Sequence, residues 1–126
     1  MTEMNLETVA KGNYCRLEGP RNQWVIKTEQ AWNIFYNALE KQSNPRSPTP
    51  HVDFSKYAVL AVFMGQKSSG GYSTEISKVL QNGNNLEVHV QESSPSADAC
   101  TTMVLTQPYH IAKVKKVEGK IEFKYL

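Results

Sequence analysis

The run YAVLAVFMG, Tyr57 to Gly65, constrains this chain more than any other stretch. A strand with one wet face alternates apolar and polar residues, because successive side chains point to opposite sides. This run does not alternate, so it reads as a central strand covered on both faces. A helix is the weaker reading, since Gly65 cuts the run short. It is also far below the roughly 20 apolar residues that a membrane-spanning helix needs.

The segments around it can be placed by pattern. LETVAKGNYCRLEGP begins strand-like and ends on the turn signal Gly19-Pro20. QWVIK, with its β-branched pair Val25 and Ile26, predicts a short strand. Thr28 is a candidate N-cap, and Glu29 favours the first turn through the helix dipole. Trp32, Phe35, Tyr36 and Leu39 then recur at the spacing of one apolar helical face, predicting a helix over about 28–41. KQSNPRSPTP ends it, because three prolines in a short polar stretch cannot continue a helix.

Beyond the central run the sequence reads as β. YSTEISKVL and LEVHVQE flank QNGNN, where Asn82-Gly83 signals a hairpin. Leu86, Val88 and Val90 should face inward, with Glu87, His89 and Gln91 on the polar side. ESSPSADACTT reads as loop. PYHIAKV and KIEFKYL are expected to pair across EGK, with Ile121, Phe123 and Tyr125 on one face. The predicted fold class is therefore β-rich α+β: an antiparallel β meander forming a barrel or sandwich, with one α-helix packed on it. The 126 residues suit a single domain over 1–126.

Composition removes several function classes. A net charge of +2 without a basic stripe interleaved with aromatics argues against nucleic acid. The basic residues of AKVKKVEGKIEFKYL read as the solvated face of a terminal hairpin. MTEMNLETVAK has neither a basic start nor an apolar stretch, so it is no signal peptide, and no membrane insertion by this chain is expected. Cys15 and Cys100 form no C-x-x-C; one long-range disulfide and two buried free thiols both remain open.

Catalytic patterns fare poorly. Gly65, four residues and Gly70 imitate the start of a P-loop, but Gly71-Tyr72 stands where lysine and Ser/Thr belong, and a strand follows instead of a helix. His51, His89 and His110 are scattered, with no metal-binding spacing, and His89 should be solvent-exposed on its polar face. Ser68 and Ser69 have no base beside them and no G-x-S-x-G context. Carboxylates such as Asp53, Glu75 and Glu92 offer no informative pairing. Asp53 in PHVDFS is better read as a turn residue whose side chain bonds nearby backbone and shapes the approach to the central strand. No cofactor, metal or catalytic residue is expected, and the chain reads as no enzyme.

The order of segments VDFSKYAVLAVFMGQKSSGGYSTEI, LEVHVQESSPS and TQPYHIAKV resembles the PrcB C-terminal domain family. That family is named after an accessory lipoprotein subunit of a secreted bacterial subtilisin-like protease complex. The pieces carrying the resemblance are Val52-Asp53-Phe54, Gly65, Gly70-Gly71-Tyr72 and Thr106 with Pro108-Tyr109. GNYCRL and the helix around Trp32 stand where the family has a Gly-rich strand and a tryptophan-bearing helix. The family often has a Ser-Gly pair in place of Cys15-Arg16, and threonine in place of Ser69. SSGGYS is also similar to the N-P-T-T-G-Y loop of chagasin-type cysteine-protease inhibitors, without its asparagine-proline start.

The resemblance implies a non-catalytic accessory module that binds a protein partner, with a protease complex as the setting. The partner-binding candidates are Ser69, Gly70, Gly71, Tyr72, Thr106, Pro108 and Tyr109. Tyr72 and Tyr109 are aromatic anchors of the kind enriched at interfaces. The alternatives are a chagasin-like protease inhibitor and a small-ligand-binding protein with a pocket near Asp53, His110 or a thiol. The resemblance favours the cell envelope or secretion, with the export signal removed; the oligomeric state is left open.

Overall fold

The computed structural model describes residues 2–12, 20–39, 50–96 and 106–126. Cys15, Cys100 and most of the proline-bearing loop therefore lie outside the described residues, as does any helix beyond Leu39. Among the described residues eight strands and one helix follow in chain order: β1 Thr2–Met4, β2 Leu6–Gly12, β3 Asn22–Ile26, α1 Glu29–Leu39, β4 Tyr57–Phe63, β5 Ser73–Asn82, β6 Asn85–Ser93, β7 Tyr109–Lys115 and β8 Ile121–Tyr125. They form two four-stranded sheets, ordered β1-β5-β6-β8 and β2-β7-β4-β3. The sheets pack face to face as a sandwich and do not close into a barrel.

The helix lies on the outer face of the second sheet, which makes that sheet a middle layer. Trp32, Phe35, Tyr36 and Leu39 are its buried side, packed with Ile26, Val59, Ala61, Phe63 and Ile111. The opposite face of the same sheet supplies Leu60, Val62, Ala112 and Val114 to a second core, shared with Ile76, Val79, Leu86, Val88 and Val90. β4 thus sends alternate side chains into two separate cores, which is why its sequence is continuously apolar. Each large side chain so buried contributes about 1.5–3 kcal/mol.

Local signals set the helix ends and strand approaches. Thr28 caps α1: its Oγ1 accepts from the Ala31 N–H at 3.2 Å and its carbonyl from the Trp32 N–H at 3.0 Å. The buried Trp32 ring N–H donates to the Pro50 carbonyl at 2.9 Å, fastening the chain that returns from the helix. Asp53 acts as the turn residue its sequence suggests. Its Oδ1 accepts from both the N–H and the Oγ of Ser55, and its carbonyl from the N–H groups of Lys56 and Tyr57. These bonds to Ser55 hold its carboxyl below the usual aspartate range.

The β5–β6 hairpin forms with its turn one residue later than the Asn-Gly signal. Asn82 pairs with Asn85, so Gly83 and Asn84 are the turn residues. Gly83 has φ +62°, and among the described residues no non-glycine residue has positive φ. A type I′ turn needs positive φ at both central residues, so glycine at the first position marks the II′ geometry.

The expected β7–β8 hairpin does not form. β8 instead runs parallel to β6, in the other sheet, with Leu86 opposite Ile121 and Val90 opposite Tyr125. Both edges of β7 are already occupied, by β2 and β4. After β7 the chain crosses to the first sheet, where Gly119 N–H donates to the Asn84 carbonyl and the Lys120 carbonyl accepts from Leu86 N–H. A Cβ on Gly119 would overlap that Asn84 oxygen, so this glycine permits a close crossing and is not a hairpin turn. Ile121, Phe123 and Tyr125 do share a face, packed on the core between the sheets. His89 also departs from expectation: its Nε2 lies 2.8 Å from Glu87 Oε1, and its side chain is only 14% exposed.

Candidate functional site

The loop after β4 is built by two glycines and braced by the segment before β7. Gly65 has φ +88°, and a Cβ there would stand 3.0 Å from the Arg21 backbone nitrogen. Either fact alone disfavours any other residue. Two residues later Lys67 and Thr106 exchange backbone hydrogen bonds of 2.7 and 2.9 Å. Thr106 Oγ1 then donates to the Ser69 carbonyl at 2.8 Å, while Ser69 Oγ donates to the Gly70 carbonyl at 3.2 Å. Gly71 has φ +90° and turns the chain into β5. Lys67 Nζ sits 5.3 Å from the centre of the Tyr72 ring, within cation–π range.

The seven sequence-predicted residues thus fall into two sets. Ser69, Gly70, Gly71 and Tyr72 form the visible loop: Gly71 is exposed and the other three are half-buried. Thr106 and Pro108 are buried behind it. The Pro108 carbonyl accepts from Met64 N–H at 3.0 Å. Tyr109 is half-buried, its ring stacked on Phe63 at 6.3 Å and covering Gly12. The structure therefore brings both quoted segments together, with the second supporting the first.

His110, next in the chain, reads in the sequence as a scattered histidine and as a possible pocket residue. It is buried, with the Thr8 hydroxyl 2.9 Å from Nε2 and the Ile76 N–H donating to Nδ1 at 2.8 Å. Accepting at Nδ1 leaves the proton on Nε2, which donates to Thr8. Thr8 and Ile76 border the register irregularities of β2 and β5, so this imidazole ties a bulge in each sheet to the middle strand β7. Burial holds its pKa below the usual histidine value, with Lys11 adding to the effect and Glu75 opposing it. Glu75 itself is drawn below the glutamate range by its hydrogen bond and charge contact with Lys11, 2.7 Å away.

A second polar tie closes one side of the sandwich. Arg21 bonds Glu92 Oε1 at 2.9 Å and lies 4.7 Å over the Tyr125 ring, while the Tyr125 hydroxyl donates to Gln23 Oε1 at 2.8 Å. Burial and the Glu92 charge raise the Tyr125 pKa above the usual phenol value. Thr74 Oγ1 and the second Glu92 oxygen, on paired residues, are buried without a partner.

Among the described residues no group of three or more His, Cys, Asp or Glu side chains could hold a metal ion. No helix there is long and apolar enough to cross a membrane. Three surface clefts, of about 610, 550 and 400 Å³, are lined by neither Asp53 nor His110.

With this geometry in place, the comparison with known families becomes specific. Residues 58–115 match the family described as PrcB C-terminal. This match supports a relationship to the PrcB C-terminal family over that stretch, which is just under half of the chain. The match runs from β4 through the glycine-shaped loop and the β5–β6 hairpin to the end of β7. It contains Gly65, the whole of 67–72 and the bracing segment 106–109. The PrcB C-terminal match leaves out β1 to β3, α1 and β8, so the tryptophan-bearing helix rests on the structure alone. No curated protein and no solved structure matches the chain.

Proposed function

We propose that the chain is a non-catalytic accessory module that docks on a protein partner through the 67–72 loop, in the setting of a protease complex. The observation supporting this reading most directly is the brace on that loop. Thr106 fixes Lys67 and Ser69 by three hydrogen bonds, so the exposed Gly71 and the half-buried Tyr72 sit on a backbone with little freedom left to lose. The PrcB C-terminal match over this same loop adds the accessory context. Export to the cell envelope or beyond belongs to the same proposal.

The test is affinity capture from the native source, with wild type and Tyr72→Ala as baits. Loss of the main partner with Tyr72→Ala is expected, at a cost of at least about tenfold in affinity for a central aromatic anchor. Recovery of the same partners by both baits would overturn docking through this loop. A protease-inhibitor reading is favoured by one observation, the clustering of 67–72 with 106–109 at one end of the sandwich. It predicts inhibition of a cysteine or subtilisin-like protease at micromolar protein, and a flat panel would remove it.

A further inference from the structure

The open edge of β3 carries a second binding surface, on different residues from the loop. Four strands stand at sheet edges: β1, β8, β2 and β3. β1 carries Glu3, β8 carries Glu122 and Lys124, and β2 carries Glu7, Lys11 and a register irregularity. Charges and bulges of this kind keep an edge from recruiting foreign strands. β3, NQWVI, has no charge, no proline and an unbroken register with β4. No strand among the described residues pairs with its other side.

Each face of this edge borders an open groove, one apolar and one carrying two lysines. Trp24 and Ile26 pair with Ala61 and Val59, placing them on the helix side. There Trp24 (44% exposed) and Ile34 (66% exposed) border a groove of about 400 Å³ between β3 and α1, with Ala31, Phe35 and Ala38. Val25 points to the other side, into a cleft of about 550 Å³ shared with Gly119, Ile121, Lys27 and Lys120. Neither Lys27 nor Lys120 has an acidic partner among the described residues. The Arg21–Glu92–Tyr125 tie closes the sandwich only beyond Gln23, leaving this cleft open.

An added strand would send alternate side chains to opposite faces. One set would enter the helix-side groove and the other would meet the two lysines. We infer that the β3 edge accepts an extended peptide segment of a partner protein by strand addition, its apolar residues alternating with acidic ones. Backbone pairing would supply affinity, and the two grooves would select the side chains. The groove surface is separate from Tyr72, so the two readings fail independently.

The probe is a capped eight-residue peptide alternating valine with aspartate. Trp24 is the exposed one of the chain's two tryptophans and Trp32 is buried, so a blue shift in emission reports on the groove. A saturable shift is expected, at least about tenfold weaker with Ile34→Asp and several-fold weaker with Lys27→Glu plus Lys120→Glu. Substituting lysine for aspartate in the peptide should weaken it similarly. Ile34 is exposed, so Ile34→Asp should keep its fold, which circular dichroism checks. No saturation by about 1 mM peptide would overturn the inference. So would equal binding by a peptide N-methylated at every amide, since strand pairing would then be irrelevant. A dimer by sedimentation that Ile34→Asp dissociates would assign the edge to a second copy of this chain, and equally reject the proposed occupant.

Discussion

His110 joins two sheets through one neutral ring, and its protonation has a calculable sign. Its folded pKa lies below the ordinary value of 6.5, so the unfolded chain takes up the proton first as pH falls. The stability contributed by the neutral ring is complete above about pH 6.5. It is lost as pH drops below that value, at up to about 1.4 kcal/mol per pH unit until the folded ring also protonates. Protonation would also remove the acceptor used by Ile76 N–H, with Lys11 already nearby. Urea midpoints at pH 7, 6 and 5 should fall faster for wild type than for His110→Gln; parallel slopes would contradict this role. Nothing in the sequence marked the role, since Thr8 lies 102 residues and Ile76 34 residues away. Gly65 was legible because a backbone conformation is a local property; a bridging side chain is not.

At the scale of elements, the helix was readable because cap, first-turn charge and apolar spacing agree within one segment. The exposed Ile34 within it was a signal left unused: it is apolar but off the Trp32 face. For β8 the alternation of Ile121, Phe123 and Tyr125 correctly gave a buried face. Alternation says which side chains go inward, but it does not name the neighbouring strand. The crossing through Gly119 decides that neighbour. Gly119→Ala should therefore lower stability by about 1–3 kcal/mol, because its Cβ meets turn backbone that cannot yield cheaply. Denaturant unfolding measures the loss, and an unchanged midpoint would mean that the crossing tolerates a side chain. The candidate loop was legible as a family-specific glycine pair, whereas the burial of Thr106 and Pro108 behind it depends on long-range packing.

For the whole molecule, the three-layer order predicts where the structure is most resistant. β4 and β7 are central strands of the middle layer, with Val59, Leu60, Ala61, Ile111 and Ala112 wholly buried. Their amides should be the slowest to exchange, with protection approaching the global unfolding free energy, while β1 and β3 exchange earlier by local opening. Hydrogen exchange read by residue checks this, and faster exchange in β4 than in β3 would contradict the layering. The continuous apolar run that fixed β4 in sequence thus gives the molecule its most protected layer.

The parallel seam between β6 and β8 has a consequence for synthesis. The outer sheet takes β1 from early in the chain and β8 from more than a hundred residues later. On a ribosome, the hairpin β5–β6 is complete well before Ile121 to Tyr125 emerge. Until they do, Leu86, Val88 and Val90 lack one lateral neighbour and the core between the sheets is unsealed. Long-range pairings of this kind slow folding. The nascent chain therefore holds an unfinished apolar seam, the sort of surface that chaperones bind, until residue 125 clears the exit tunnel.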